Sequence, residues 1–84
     1  VSRTIIDVRE PFEFATDGVD GAINLPLSQL NVALPASEIS VDDELVLYCN
    51  SGSRSAQAAR VLQAHGYTII VNGINRATVE QNFC

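Results

Sequence analysis

One abrupt passage limits what this chain can fold into more than any other. An apolar run, Leu45-Val46-Leu47-Tyr48, leads through Cys49-Asn50-Ser51-Gly52-Ser53-Arg54-Ser55 into an alanine-rich helical run. An apolar run without polar alternation suits a strand buried on both faces. The small polar residues and glycine behind it suit a strand-to-helix turn. The helix is expected from Ser55 to His65, with Ala58, Val61, Leu62 and His65 on one face and Gly66 as its stop.

The same alternation recurs along the chain. Arg3-Thr4-Ile5-Ile6-Asp7-Val8 reads as a second buried parallel strand. Glu10-Pro11 opens a short helix from Pro11 to Thr16, with Phe12 and Ala15 sharing a face, and Asp17-Gly18 and Asp20-Gly21 end it. Ala22-Ile23-Asn24-Leu25 is another apolar stretch, closed by Pro26. A helix is expected from Ser28 to Leu34 with Pro35 ending it, then a surface connection from Ala36 to Glu44. Tyr67 to Val71 reads as a strand, Asn72-Gly73 as a turn, and Asn75 to Phe83 as a terminal helix. Strands alternating with helices imply one α/β domain over residues 1–84, with a mainly parallel sheet of about four strands flanked by helices. Ligands of such sheets bind beyond the carboxyl ends of the strands, where Asp7, Arg9 and Cys49 all fall.

Composition removes several classes of function. The net charge is −5 and there is no lysine, which argues against nonspecific nucleic-acid binding and against an acidic membrane surface as partner. No apolar run approaches the roughly eighteen residues of a membrane span. The two cysteines, Cys49 and Cys84, match no zinc pattern, so neither metal nor cofactor is expected. Cys84 is expected to be an inert end, not bridged to Cys49. The chain begins at Val1 rather than Met, so a cytoplasmic setting, or a periplasmic one with a leader removed, are both open.

The cysteine turn carries the chemistry. A thiol at the start of a helix faces backbone N–H groups without intrahelical partners and about half a positive charge from the helix dipole. Both favour the reactive thiolate over a free thiol of pKa about 8.5. Gly52 permits a tight turn; Ser51, Ser53 and Ser55 are small enough to keep the N–H groups accessible, and Ser55 is a candidate helix cap. Arg54 carries a fork suited to a sulfonate or sulfite, or else ties the loop down. Asp7 and Arg9 are expected as scaffold, Arg9 paired with Glu13 or Asp17 to buttress the site. His65 suits the helix C-terminus rather than a ligand role. A lone buried cysteine is ordinarily a small core hydrophobe, so its neighbours must decide.

Those neighbours resemble a known family. Asp7-Val8-Arg9-Glu10-Pro11, Gly21-Ala22-Ile23-Asn24-Leu25-Pro26, Tyr48-Cys49-Asn50-Ser51-Gly52-Ser53-Arg54-Ser55-Ala56 and Gly66-Tyr67 are similar, in order, to the blocks of rhodanese-like sulfurtransferases. The nearest resemblance is to their minimal single-domain, phage-shock-type members. It implies a loop from Cys49 to Arg54 that cradles sulfur, with Cys49 as catalytic nucleophile and Asn50, Ser51, Gly52, Ser53 and Arg54 around the substrate. It also implies a monomer that takes sulfane sulfur from a small anionic donor such as thiosulfate. Cyanide, a thiol or a protein would accept it through a Cys49 persulfide. Family members commonly carry a glycine pair after the last strand, where Asn72-Gly73-Ile74-Asn75 has one glycine. The enzymatic rival is a cysteine-dependent phosphatase, but its loops resemble Cys-x5-Arg and Cys49 to Arg54 is one residue shorter. The non-enzymatic rival is a persulfide carrier or regulatory module.

Overall fold

The computed structural model describes residues 2–84. Its elements are β1 (Arg3–Asp7), α1 (Pro11–Asp17), β2 (Ile23–Asn24), a 3-10 turn (Leu27–Gln29), α2 (Leu30–Ser37), β3 (Glu44–Cys49), α3 (Ser53–Ala64), β4 (Ile70–Asn75) and α4 (Arg76–Asn82). The four strands form one sheet in the order β2-β1-β3-β4. Every pairing is parallel, as the alternation of strands and helices implies.

β3 explains why its sequence lacks polar alternation. Side chains on a strand point alternately to opposite faces. Leu45, Leu47 and Cys49 therefore enter the larger core with Ile6, Val8, Leu30, Ala58 and Leu62, while Val46 and Tyr48 enter a second core with Val19 and Val79. With helices on both faces, no position from Leu45 to Cys49 meets water. The helix after it ends as the glycine at position 66 suggests. The Gly66 N–H donates to the Gln63 carbonyl and the Tyr67 N–H to the Leu62 carbonyl, with Gly66 at φ +96°. This is a Schellman closure, and Leu62 and Tyr67 share the larger core as its usual apolar contact.

Three expectations need correction. Tyr67 is not in the last strand: the helix closure holds its N–H, and its hydroxyl donates to the Ile39 carbonyl. Nor is Asn72-Gly73 a turn. Pairing of β4 with β3 continues through Cys49↔Asn75, and Gly73 is the extra residue of a bulge between the pairs Leu47↔Asn72 and Tyr48↔Ile74. Pro35 lies inside α2, which ends instead at Glu38 in a left-handed conformation; an exposed stretch tolerates the missing donor where water can replace it.

The face shared by Phe12 and Ala15 also fails to pack, since α1 buries no residue and Phe12 is 72% exposed. Polar contacts fix α1 instead. Glu10 and Glu13 form a reciprocal capping box, and the Gly18 N–H closes the helix on the Phe14 carbonyl.

Candidate active site around Cys49

β3 delivers Cys49 to the carboxyl edge of the sheet, and the chain turns at once into α3. Gly52, at φ +89°, is the N-cap of that helix, a conformation that strains any residue with a Cβ. The turn folds back so that the Gly52 N–H donates to Cys49 Sγ at 3.1 Å, and Sγ lies 3.7 Å from Ser55 Oγ. Cys49 is buried, 1% exposed. Burial alone would push the thiol up, but the backbone N–H groups of Ser55, Ser51 and Gly52 pull it down, to about 7. Ser55 is therefore not the helix cap: α3 begins two residues earlier, at Ser53, and the Ser55 hydroxyl faces inward toward the sulfur.

Around this turn lies a ring of charge. Asp7, fully buried, accepts from the Arg9 backbone N–H at 2.8 Å and from Arg9 Nε and Nη2 at 2.9 and 2.7 Å. The expected Arg9–Asp17 pair is present at 2.9 Å, and the guanidinium lies 5.4 Å from the centroid of the Tyr48 ring. Hydrogen bonding to Asp7, opposed by burial and reinforced by Asp17, raises the Arg9 pKa and keeps it a permanent cation. Asp7 is the dominant partner, one that spacing did not suggest because the two residues are only two apart.

Glu13 does not pair with the Arg9 guanidinium through its carboxylate. It accepts from both ends of the Arg54 fork, Nη1 at 2.7 Å and Nη2 at 3.2 Å, and from Asn50 Nδ2 at 3.0 Å. The Arg54 fork first, against the opposing pull of burial, lowers the Glu13 carboxyl to about 2. Asn50 Oδ1 in turn accepts from Arg9 Nη1 at 3.4 Å. The chain Asp7–Arg9–Asn50–Glu13–Arg54 thus ties the cysteine loop to β1 and α1.

Of the expected site residues, the nucleophile Cys49, Gly52 and the supporting Ser55 converge at the sulfur, while Asn50 and Arg54 converge on Glu13. The Ser51 and Ser53 side chains are exposed at the loop surface. Glu13, expected as a partner of Arg9, serves Arg54 and Asn50 instead. One contributor was not foreseen. Asn72 was hidden by its reading as a turn: its amide donates to the Gly52 carbonyl at 3.1 Å and accepts from Ser55 Oγ at 2.6 Å. Among the described residues no cluster of three metal-ligating side chains occurs, and no helix is long and apolar enough to cross a membrane. Both cysteines are free, Cys49 buried and Cys84 exposed.

A parallel four-stranded sheet with a six-residue cysteine loop opening α3 defines a class. Residues 1–75 match the rhodanese-like domain family, and the chain belongs to it. It is 37% identical over 67 residues to thiosulfate sulfurtransferase PspE of Escherichia coli strain K12, covering 80% of this chain and 64% of that protein. Among solved structures, a rhodanese with anions from E. coli superposes with a TM-score of 0.82 at 32% identity, over 92% of this chain and 91% of that one. The human single-domain sulfurtransferase TSTD1 gives a TM-score of 0.80 at 29% identity, over 98% and 84% of the two chains. The chain spans between about half and two thirds of the length of the first curated relatives it matches.

Proposed function

We propose that this chain is a sulfurtransferase that moves sulfane sulfur from thiosulfate, or a similar small anion, to cyanide or a thiol acceptor. The observation that carries the reading is the Gly52 N–H on a buried Cys49 sulfur that ionises at about 7. The Cys49 thiolate attacks the outer sulfur of thiosulfate; a new S–S bond forms, the thiosulfate S–S bond breaks, and sulfite leaves with the electron pair. The acceptor then attacks the terminal sulfur of the persulfide, and the Cys49 thiolate returns as leaving group. Both half-reactions pass an anion through the same N–H groups, so no metal, cofactor or separate base is invoked. Asn50, Ser51, Gly52, Ser53 and Arg54 surround the donor in this reading, and Asp7, Arg9 and Ser55 support the loop.

Mass spectrometry after thiosulfate treatment is expected to show one added sulfur on Cys49, removed by cyanide and absent in Cys49→Ser. A folded protein that gains no sulfur at Cys49 overturns the proposal. A second reading is favoured by one observation: the Arg54 fork is already held by Glu13. A persulfide carrier, receiving sulfur from a protein rather than binding a free anion, does not need that fork. Adduct formation without thiocyanate release would select it.

A further inference from the structure

The hydrogen bonds around Ser55 contain more acceptors than hydrogens. Ser55 Oγ lies 2.6 Å from Asn72 Oδ1, 3.1 Å from the Gly52 carbonyl and 3.7 Å from Cys49 Sγ, and a hydroxyl has one hydrogen to give. The orientation of the Asn72 amide is not free. The Ile74 backbone N–H, which can only donate, meets Oδ1 at 3.0 Å, and the Gly52 carbonyl, which can only accept, meets Nδ2 at 3.1 Å. That carbonyl also accepts from the Ala56 N–H at 3.0 Å, which fills its two lone pairs. The Ser55 hydrogen therefore goes to Asn72, by far the shortest of the three contacts.

We propose that Asn72 is a positioning residue: its side-chain carbonyl holds the Ser55 hydroxyl hydrogen, so that Ser55 turns a lone pair toward Cys49 and withholds a hydrogen bond from the thiolate. The neutral thiol can donate to Ser55; the thiolate must compete with Asn72 for the hydrogen. Asn72 thus acts as a brake on ionisation, set against the backbone N–H groups that promote it. This rests on Cys49 being the reactive thiol of the proposed function. Other charges around the loop are Arg54 on α3, Glu13 and Asp17 on α1, and Asp7 and Arg9 at the end of β1. β4, from Ile70 to Asn75, brings no titratable side chain, and α4 opens with Arg76. All of these remain in the variants below.

The test is the pH dependence of iodoacetamide alkylation at Cys49 in a Cys84→Ser background. Asn72→Ala frees the Ser55 hydrogen together with one lone pair of the Gly52 carbonyl; the charged thiolate outcompetes that neutral acceptor, and the midpoint is expected to fall by up to about one pH unit, at most roughly tenfold more thiolate on the acid side. Asn72→Ser, too short to reach Ser55, gives the same direction. Ser55→Ala is expected to change the midpoint little with Asn72 present and to cancel the downshift with Asn72 absent. Asn72 is exposed, so its replacement spares the core. A midpoint that rises in Asn72→Ala, or falls equally without Ser55, overturns the proposal and leaves Asn72 a structural tie. Alkylation needs only a titrating thiol. Failure to form a persulfide would appear in the mass shift alone and would sink the sulfurtransferase reading separately.

Discussion

Replacing Glu13 by glutamine tests whether Arg54 belongs to the substrate or to the loop. The Glu13 carboxylate holds both ends of the Arg54 fork, at 2.7 and 3.2 Å, so an incoming sulfonate must compete with a carboxylate already in place. The drop of that carboxyl from 4.5 to about 2 sets a ceiling of about 3 kcal/mol on what holds its charge. Water reduces it, because the Arg54 side chain is 33% exposed; a bidentate pair so placed is worth about 1 kcal/mol. Glutamine is isosteric and its carbonyl still accepts from the Glu10 N–H, so the capping box survives. Glu13→Gln is therefore expected to lower the thiosulfate concentration that half-saturates persulfide formation by about fivefold. Arg54→Ala should raise it by more than that. Persulfide formation at graded thiosulfate, read by intact-protein mass spectrometry, gives both numbers. An unchanged or higher half-saturation in folded Glu13→Gln would make Arg54 a strut of the loop and not a contact of the donor. Acidification cannot substitute for the mutation above about pH 4, because the carboxyl stays ionised there.

Three further outcomes follow from the geometry. The alkylation midpoint of Cys49 should lie near 7, so that about half is thiolate at neutral pH, and a midpoint near the ordinary value of 9 would contradict the N–H contacts. Since the folded value is below the unfolded one, ionisation stabilises the fold fully above about pH 9; that contribution is lost as pH falls through about 7, and Cys49→Ser should flatten this part of a denaturation profile. Gly73→Ala should cost about 1–3 kcal/mol by overpacking in urea denaturation. A Cβ there would sit 2.6 Å from Val79 Cγ2 and 3.1 Å from both the Leu47 carbonyl and Val46 Cγ1, and a variant of wild-type stability would refute that close approach.

What the sequence made legible is what is local. Sulfur, Gly52 N–H and Ser55 hydroxyl all lie within seven consecutive residues, so the turn could be read from spacing alone. β3 was legible because burial on both faces leaves an unbroken apolar run. What was not legible depends on partners far along the chain. Glu13 and Arg54 are 41 residues apart, and nothing local says that α1 will present its carboxylate to the loop rather than to Arg9. Phe12 and Ala15 have helical spacing, but ion pairs and capping, not apolar burial, hold their helix.

Asn72-Gly73 is the instructive case. By local chemistry an Asn-Gly pair is among the strongest turn signals, because both residues tolerate positive φ. Here the residue at positive φ is the next one: Ile74, at φ +73°, a conformation that costs a β-branched side chain about 1–2 kcal/mol. Tertiary pairing overrides the local preference. β3 continues to Cys49 and needs a partner that far, and the bulge at Gly73 lets β4 supply it while Val79 packs against the bare glycine. The same bulge places Asn72 on the Gly52 carbonyl and Ile74 against the space a Gly52 Cβ would fill, within 3.5 Å. Removing the bulge would relieve Ile74, but it would also shift Asn72 and Ile74 relative to the loop that holds the sulfur. The strain is thus tied to the position of the site's wall, and a segment that reads as punctuation in the sequence closes one side of the cysteine cradle.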